Sequence, residues 1–179
     1  MRAFTQILAC IGSAMLLGCQ EQPTAKPNVG ETDTFNSEKR MTDRKRLIAK
    51  IDAQSSPGKL REIVVSLEDF FVGNNDPGSI GVNLGQDQPP IVEFHRVLSE
   101  IRAKPNVQDV LVRIYDYDDP TSWPYTDTVY IISSAPLATV QEWVNPLLPD
   151  EVHAEWMYGK PPAAPEIQSG MTPYSVWWD

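Results

Sequence analysis

Five short runs of strand character, broken by two helical stripes that each open on proline, leave this chain few choices beyond a sheet with helices packed on it. Glu62-Ile63-Val64-Val65-Ser66-Leu67 is a dense β-branched run. Val110–Asp116 and Thr128–Ser133 alternate in the same way, and Val152–Tyr158 and Tyr174–Asp179 add two further strands. Between them, Pro89-Pro90 opens a helix over Ile91–Lys104, whose Ile91, Phe94, Leu98 and Ile101 recur on one face. Ser134-Ala135-Pro136 opens a second helix over Leu137–Asn145, with Leu137, Val140 and Val144 inward. A preceding short helix, Arg44–Gln54 with Thr42 as cap, presents Leu47, Ile48 and Ile51 and ends at Ser56-Pro57-Gly58. The order predicts an α+β domain: a ferredoxin-like βαββαβ sandwich with an added N-terminal helix and a C-terminal edge strand. Its core should bury Ile63, Val65, Val112, Ile114, Val129 and Ile131.

The N-terminus carries a different signal. Arg2 precedes an apolar stretch from Ile7 to Leu17, followed by Gly18-Cys19. A stretch of roughly 11 residues falls short of the ~20 that a membrane-spanning helix needs, and reads as the core of an export signal. Leu16-Leu17-Gly18-Cys19 resembles the lipobox of bacterial lipoproteins. That resemblance implies diacylglycerol on the Cys19 sulfur, cleavage between Gly18 and Cys19, and acylation of the new amino group. Gln20 in place of Asp implies the outer membrane, facing the periplasm, in a Gram-negative host. The chain is thus expected to divide into a signal peptide (1–18), a lipidated Cys with a flexible polar tether (19–41), and one α+β domain (42–179).

Both cysteines, Cys10 and Cys19, are claimed by this reading, so no disulfide is expected inside the domain. Removing residues 1–18 takes away Arg2 and no acid, moving the net charge from −9 to about −10. Such a chain repels nucleic acid and suits a basic protein partner, or a solvent-facing acidic surface with no partner.

Motifs for catalysis, a cofactor or a structural metal are not recognised. The chain has two histidines, His95 and His153, and neither stands at helical ligand spacing from another. Gly78-Ser79-Ile80-Gly81 lacks the ending of a phosphate loop. Asp116, Asp118 and Asp119 crowd one turn, and Asn74, Asn75 and Asp76 another, within the loop Val72–Leu84. Oxygen-rich loops suit calcium, but these lack the spacing of a calcium loop, and turn formation and solvation are the usual reason for Asp and Asn there. Glu68, Asp69, Asp76 and Asp116 would support a carboxylate-based hydrolase if they gathered round one pocket.

Five tryptophans are present. Trp143 and Trp156 read as core. Trp123, in the turn Tyr117–Tyr125, and Trp177, one of two consecutive tryptophans pointing to opposite faces, are the candidates for exposed aromatics. With Asp116, Asp118 and Asp119 they form the expected protein-binding residues.

Ser66–Phe71, Gly73–Gly81 and the closing Pro173–Asp179 resemble an uncharacterised group of small bacterial proteins, over most of 60–179. The resemblance implies no catalytic residues. The expected function is a membrane-tethered lipoprotein with a non-catalytic protein-binding domain, one form being an immunity protein that masks a basic toxin. An envelope structural or assembly factor is the alternative, and a hydrolase the third reading.

Overall fold

The computed structural model describes residues 29–55 and 62–179. Gly18, Cys19, the first part of the tether and the Ser56-Pro57-Gly58 stop lie outside the described residues. Among the described residues, no helix is long and apolar enough to cross a membrane.

The architecture is α+β. Helix α1 (Val29–Gln54) leads into β1 (Ile63–Ser66) and the single-turn α2 (Leu67–Phe71). Then follow α3 (Ile91–Arg102), β2 (Val107–Ile114), β3 (Thr128–Ser133), α4 (Leu137–Val144), β4 (Glu151–His153) and β5 (Thr172–Trp177). The strands form one antiparallel sheet in the order β1-β2-β3-β5-β4.

The main core lies between the helices and one sheet face. It contains the six strand residues expected there, with Phe94, Leu98 and Ile101 from α3 and Val140 and Val144 from α4. Leu47 and Ile51 of α1 are fully buried against the same face. Val64, Leu111, Tyr130 and Ile132 point the other way, where Trp156 and, from the proline-rich segment 159–171, Ala164, Ile167 and Met171 cover them.

Four details depart from the sequence expectation. First, helix α1 begins at Val29, so residues 29–41, read as tether, are helical; Thr34 and Asn36–Lys39 are exposed, so this stretch adds no core there. Second, the final strand is not at an edge. β5 lies between β3 and β4 because Tyr174, Ser175 and Val176 are buried and need cover on both sides. Third, β1 and β2 pair directly, so only β3-α4-β4 is a split β-α-β unit of the ferredoxin-like kind, with β5 inserted. Fourth, β4 ends at His153 rather than Tyr158. The Ser175 hydroxyl donates to Glu155 O (2.5 Å) and accepts from Met157 N (3.0 Å), replacing the strand ladder. Trp156 therefore leaves the main core and meets Tyr130 edge-on at 4.7 Å.

Candidate binding surface

The turn that leaves β2 builds most of the site. Tyr115 N donates to Tyr125 O (2.9 Å) and Tyr125 N to Asp116 O (2.7 Å), closing residues 116–125 into a loop. Inside it, Asp119 accepts from Thr121 N (2.8 Å), Thr121 Oγ1 (2.7 Å) and Ser122 Oγ (2.7 Å). These bonds, led by the Thr121 hydroxyl, lower the Asp119 pKa to about 2. Asp116 Oδ1 accepts from Asp118 N at 3.0 Å, an Asx turn.

Two distant segments brace this loop. Arg44 of α1 donates from Nε to Ser122 O (2.7 Å) and from its terminal nitrogen to Asp119 O (2.8 Å). From the other side, Trp123 N donates to Asp76 Oδ2 (3.0 Å) and Thr126 N to Ser79 O (2.9 Å). Asp76 is fixed in turn by Gly78 N on its Oδ1, and Asn74 reaches Ser79 Oγ. The Gly73–Gly81 segment thus braces the end of the 116–125 turn through Asp76 Oδ2 and Ser79 O. Among the described residues no three His, Cys, Asp or Glu side chains gather where they could hold a metal ion.

This bracing buries the indole of Trp123, which is 3% exposed, so the expected exposed tryptophan is instead an internal wall. Trp177 is half-buried on β5, opposite Thr128 and Glu151. Trp178 is buried by α3, meeting Phe94 at 5.6 Å and donating from Nε1 to Leu147 O (2.9 Å). Trp143 is half-buried, with Lys104 over its ring at 5.0 Å.

The exposed aromatics are tyrosines. Tyr115 is 61% exposed and Tyr158 43%. The Arg113 guanidinium lies between them, 3.9 Å from the Tyr158 ring centre and 5.5 Å from that of Tyr115. Tyr115 meets Tyr125 edge-on at 5.8 Å. Arg113 is held from below by Glu62 (2.6 Å) and Asp127 (2.9 Å). Burial pulls its pKa down, but the Glu62 hydrogen bond and the Asp127 charge outweigh that, and it sits above the ordinary arginine value. Burial first, then the Asp127 charge, raises the phenol pKa of Tyr125 and Tyr158.

The strip Tyr158–Arg113–Tyr115–Tyr125 leads into a cleft of about 210 Å³ walled by Gly78, Asp116, Tyr117, Asp119, Trp123 and Tyr125. Three of the five expected binding residues, Asp116, Asp119 and Trp123, meet there. Asp118 is exposed on the same turn, and Trp177 stands apart. The tyrosines were missed because Tyr115 and Tyr158 meet only in the fold, on either side of Arg113; one local signal was the alternation Arg113-Ile114-Tyr115, which puts both polar-tipped residues on one face.

The carboxylates of the hydrolase reading have separate commitments. Glu68 is bound by Arg102, which lowers its pKa to about 2; Asp69 accepts from Lys50 (2.6 Å); Asp76 braces Trp123; Asp116 lines the cleft. His95 stacks on Phe71 at 5.0 Å, and His153 meets Glu151 at 2.6 Å on β4.

Residues 42–176 match the family described as "Uncharacterized protein YfbO family". The chain is 40% identical over 117 residues to "Uncharacterized protein YfbO" of Escherichia coli (strain K12), covering 65% of this chain and 82% of that one. No solved structure matches it. With three quarters of its length matched by the family, this chain belongs to the uncharacterised protein YfbO family.

Proposed function

We propose that this chain is a lipoprotein whose domain, tethered by acyl chains on Cys19 to the outer membrane and facing the periplasm, binds a protein partner without catalysing a reaction. The observation that carries the binding reading is the tyrosine–arginine strip. Tyr and Arg concentrate binding energy at protein interfaces, because they present large, stiff contact area with a polar tip. Here two half-open rings flank a guanidinium that its acids already hold in place, so little ordering remains to be done on binding. The net charge, −9 for the whole chain and about −10 without residues 1–18, favours encounter with a basic partner. A basic toxin masked by an immunity lipoprotein is the partner class that fits this charge best.

Capture of the full chain's partners from its own envelope, beside a Tyr115→Ala/Tyr158→Ala variant, tests this reading. The expected result is a basic protein that is lost from the variant and from the wild type at raised salt. A resident envelope complex retained in its place moves the reading to an assembly factor. Equal capture by both proteins overturns the assigned surface. The anchor is tested separately: Cys19→Ala is expected to abolish acyl labelling and release the chain from membranes, and unchanged labelling overturns it.

A further inference from the structure

We propose that the open edge of the sheet, β4, pairs with β4 of a second copy of this chain about a two-fold axis at Val152. This goes beyond the partner reading above and does not depend on it. The two edges of the sheet are finished differently. The Gln54 amide closes β1 by bonding both Val64 N and Val64 O, whereas among the described residues nothing bonds the outer side of β4. An unpaired edge is a template for another strand. A groove of about 560 Å³ runs along residues 150–153, with Gln141 and Asn145 of α4 on its far side. Leu148, at its rim, is held at φ +52° and is 44% exposed, an apolar surface that a second copy would cover.

Backbone and charges together fix the register. Trp178 N donates to Asp127 O (2.9 Å), so by the alternation of an antiparallel ladder Tyr174 and Val176 bond to β3, and Ser175 and Trp177 turn to β4. The bond from Asp150 N to Trp177 O (3.0 Å) agrees. Glu151 and His153, opposite Trp177 and Ser175, therefore direct their backbone groups at β5, and Val152 presents its N–H and C=O outward. Two copies of Val152 facing each other exchange both bonds. That register sets Glu151 of each copy opposite His153 of the other, on the sheet face away from the main core. Within one chain His153 Nε2 meets Glu151 Oε2 (2.6 Å), which leaves His153 Nδ1 and Glu151 Oε1 for the second copy. The two neighbouring registers that keep the backbone bonds set Glu151 against Glu151 or His153 against His153, and lose the opposite pairs. The edge is thus complementary to itself, as an isologous contact requires.

A two-fold axis relating antiparallel neighbours in one sheet stands perpendicular to that sheet. Both α1 helices then lie on one side of the joined sheet and both tyrosine strips on the other. Two chains anchored in one membrane can meet in this way, and confinement there raises their effective concentration against the repulsion of two acidic chains.

The test places a cysteine at the axis: Val152→Cys in the full chain, made in cells and oxidised with copper phenanthroline. Opposed Cα atoms about 5.5 Å apart in a hydrogen-bonded pair suit a disulfide. A disulfide-linked dimer is expected to form faster than from the unsubstituted chain or from Val92→Cys, exposed on α3. Adding His153→Glu sets acid against acid twice and is expected to slow the linkage about tenfold. The exchange Glu151→His/His153→Glu restores the opposite pairs, and the rate is expected to return. Linkage no faster than in the two controls overturns the proposal. A rate unmoved by His153→Glu, or not recovered by the exchange, overturns the register and with it the self-complementary edge.

Discussion

The hydroxyl of Tyr130 is buried beneath the segment 159–171 and has no hydrogen-bond partner among the described residues. Burial, followed by the charge of Glu62, raises its pKa, so it stays a neutral, unsatisfied phenol. Removing the oxygen removes its desolvation cost while the ring keeps its contact with Trp156. Tyr130→Phe is therefore expected to raise stability by about 1 kcal/mol, read from the urea midpoint. A loss of that size would mean that the hydroxyl has a partner. Gly73 is the opposite case. Its φ is +81°, and an added Cβ would lie 2.6 Å from Asp43 Cβ and Oδ2. Gly73→Ala is expected to cost more than about 2 kcal/mol, combining left-handed strain with overlap. Turn-forming character at 73–76 was legible in the sequence because it is local. The burial of Trp123 was not, because it depends on Arg44 and Asp76, which are far away in the chain.

Among the elements, β1 shows how an exposed sheet edge is closed. Gln54, at the end of α1, donates to Val64 O (2.8 Å) and accepts from Val64 N (3.2 Å). Its amide takes the place of a neighbouring strand and blocks edge-to-edge pairing. Gln54→Ala is expected to destabilise by about 1–3 kcal/mol, measured by denaturant titration, because both Val64 backbone groups lose their partner. Arg113 joins β2 to Glu62, to Asp127 and to Tyr158 beyond β4. Its removal in Arg113→Ala strands two largely buried carboxylates, with an expected cost of about 3–5 kcal/mol. A cost below about 1 kcal/mol would show that the ion pairs are open to water. The apolar periodicity of α3, β2 and β3 made those elements legible. Two others failed for physical reasons. β4 is peeled off its neighbour by the Ser175 side chain, and α2 is capped by Ser66 accepting from Asp69 N, a signal hidden behind a β-branched run.

On the scale of the whole molecule, the α+β class followed from element order, but strand order did not. Nothing local in Tyr174-Ser175-Val176 distinguishes an inner strand from an edge; its place is decided by the two neighbours that cover it. The acid response is also a property of the whole chain. The Arg102 hydrogen bonds lower the Glu68 pKa from 4.5 to about 2, so this pair stabilises the fold above the ordinary glutamate value. That contribution is lost as pH falls towards 2. Glu68 is more than half exposed, and screening keeps the effect below about 1 kcal/mol. The stability gap between wild type and Glu68→Gln is expected at neutral pH and should close near pH 2; a gap that persists there would assign the effect to packing.

The central claim is that a partner meets the tyrosine strip. It is tested most directly by a photo-cross-linking residue placed at Tyr115, at Tyr158, and at exposed Glu142 on α4, in cells that make the full chain. The account predicts one cross-linked protein shared by positions 115 and 158 and absent from 142. A partner captured only from position 142, or none from either tyrosine position, would contradict it.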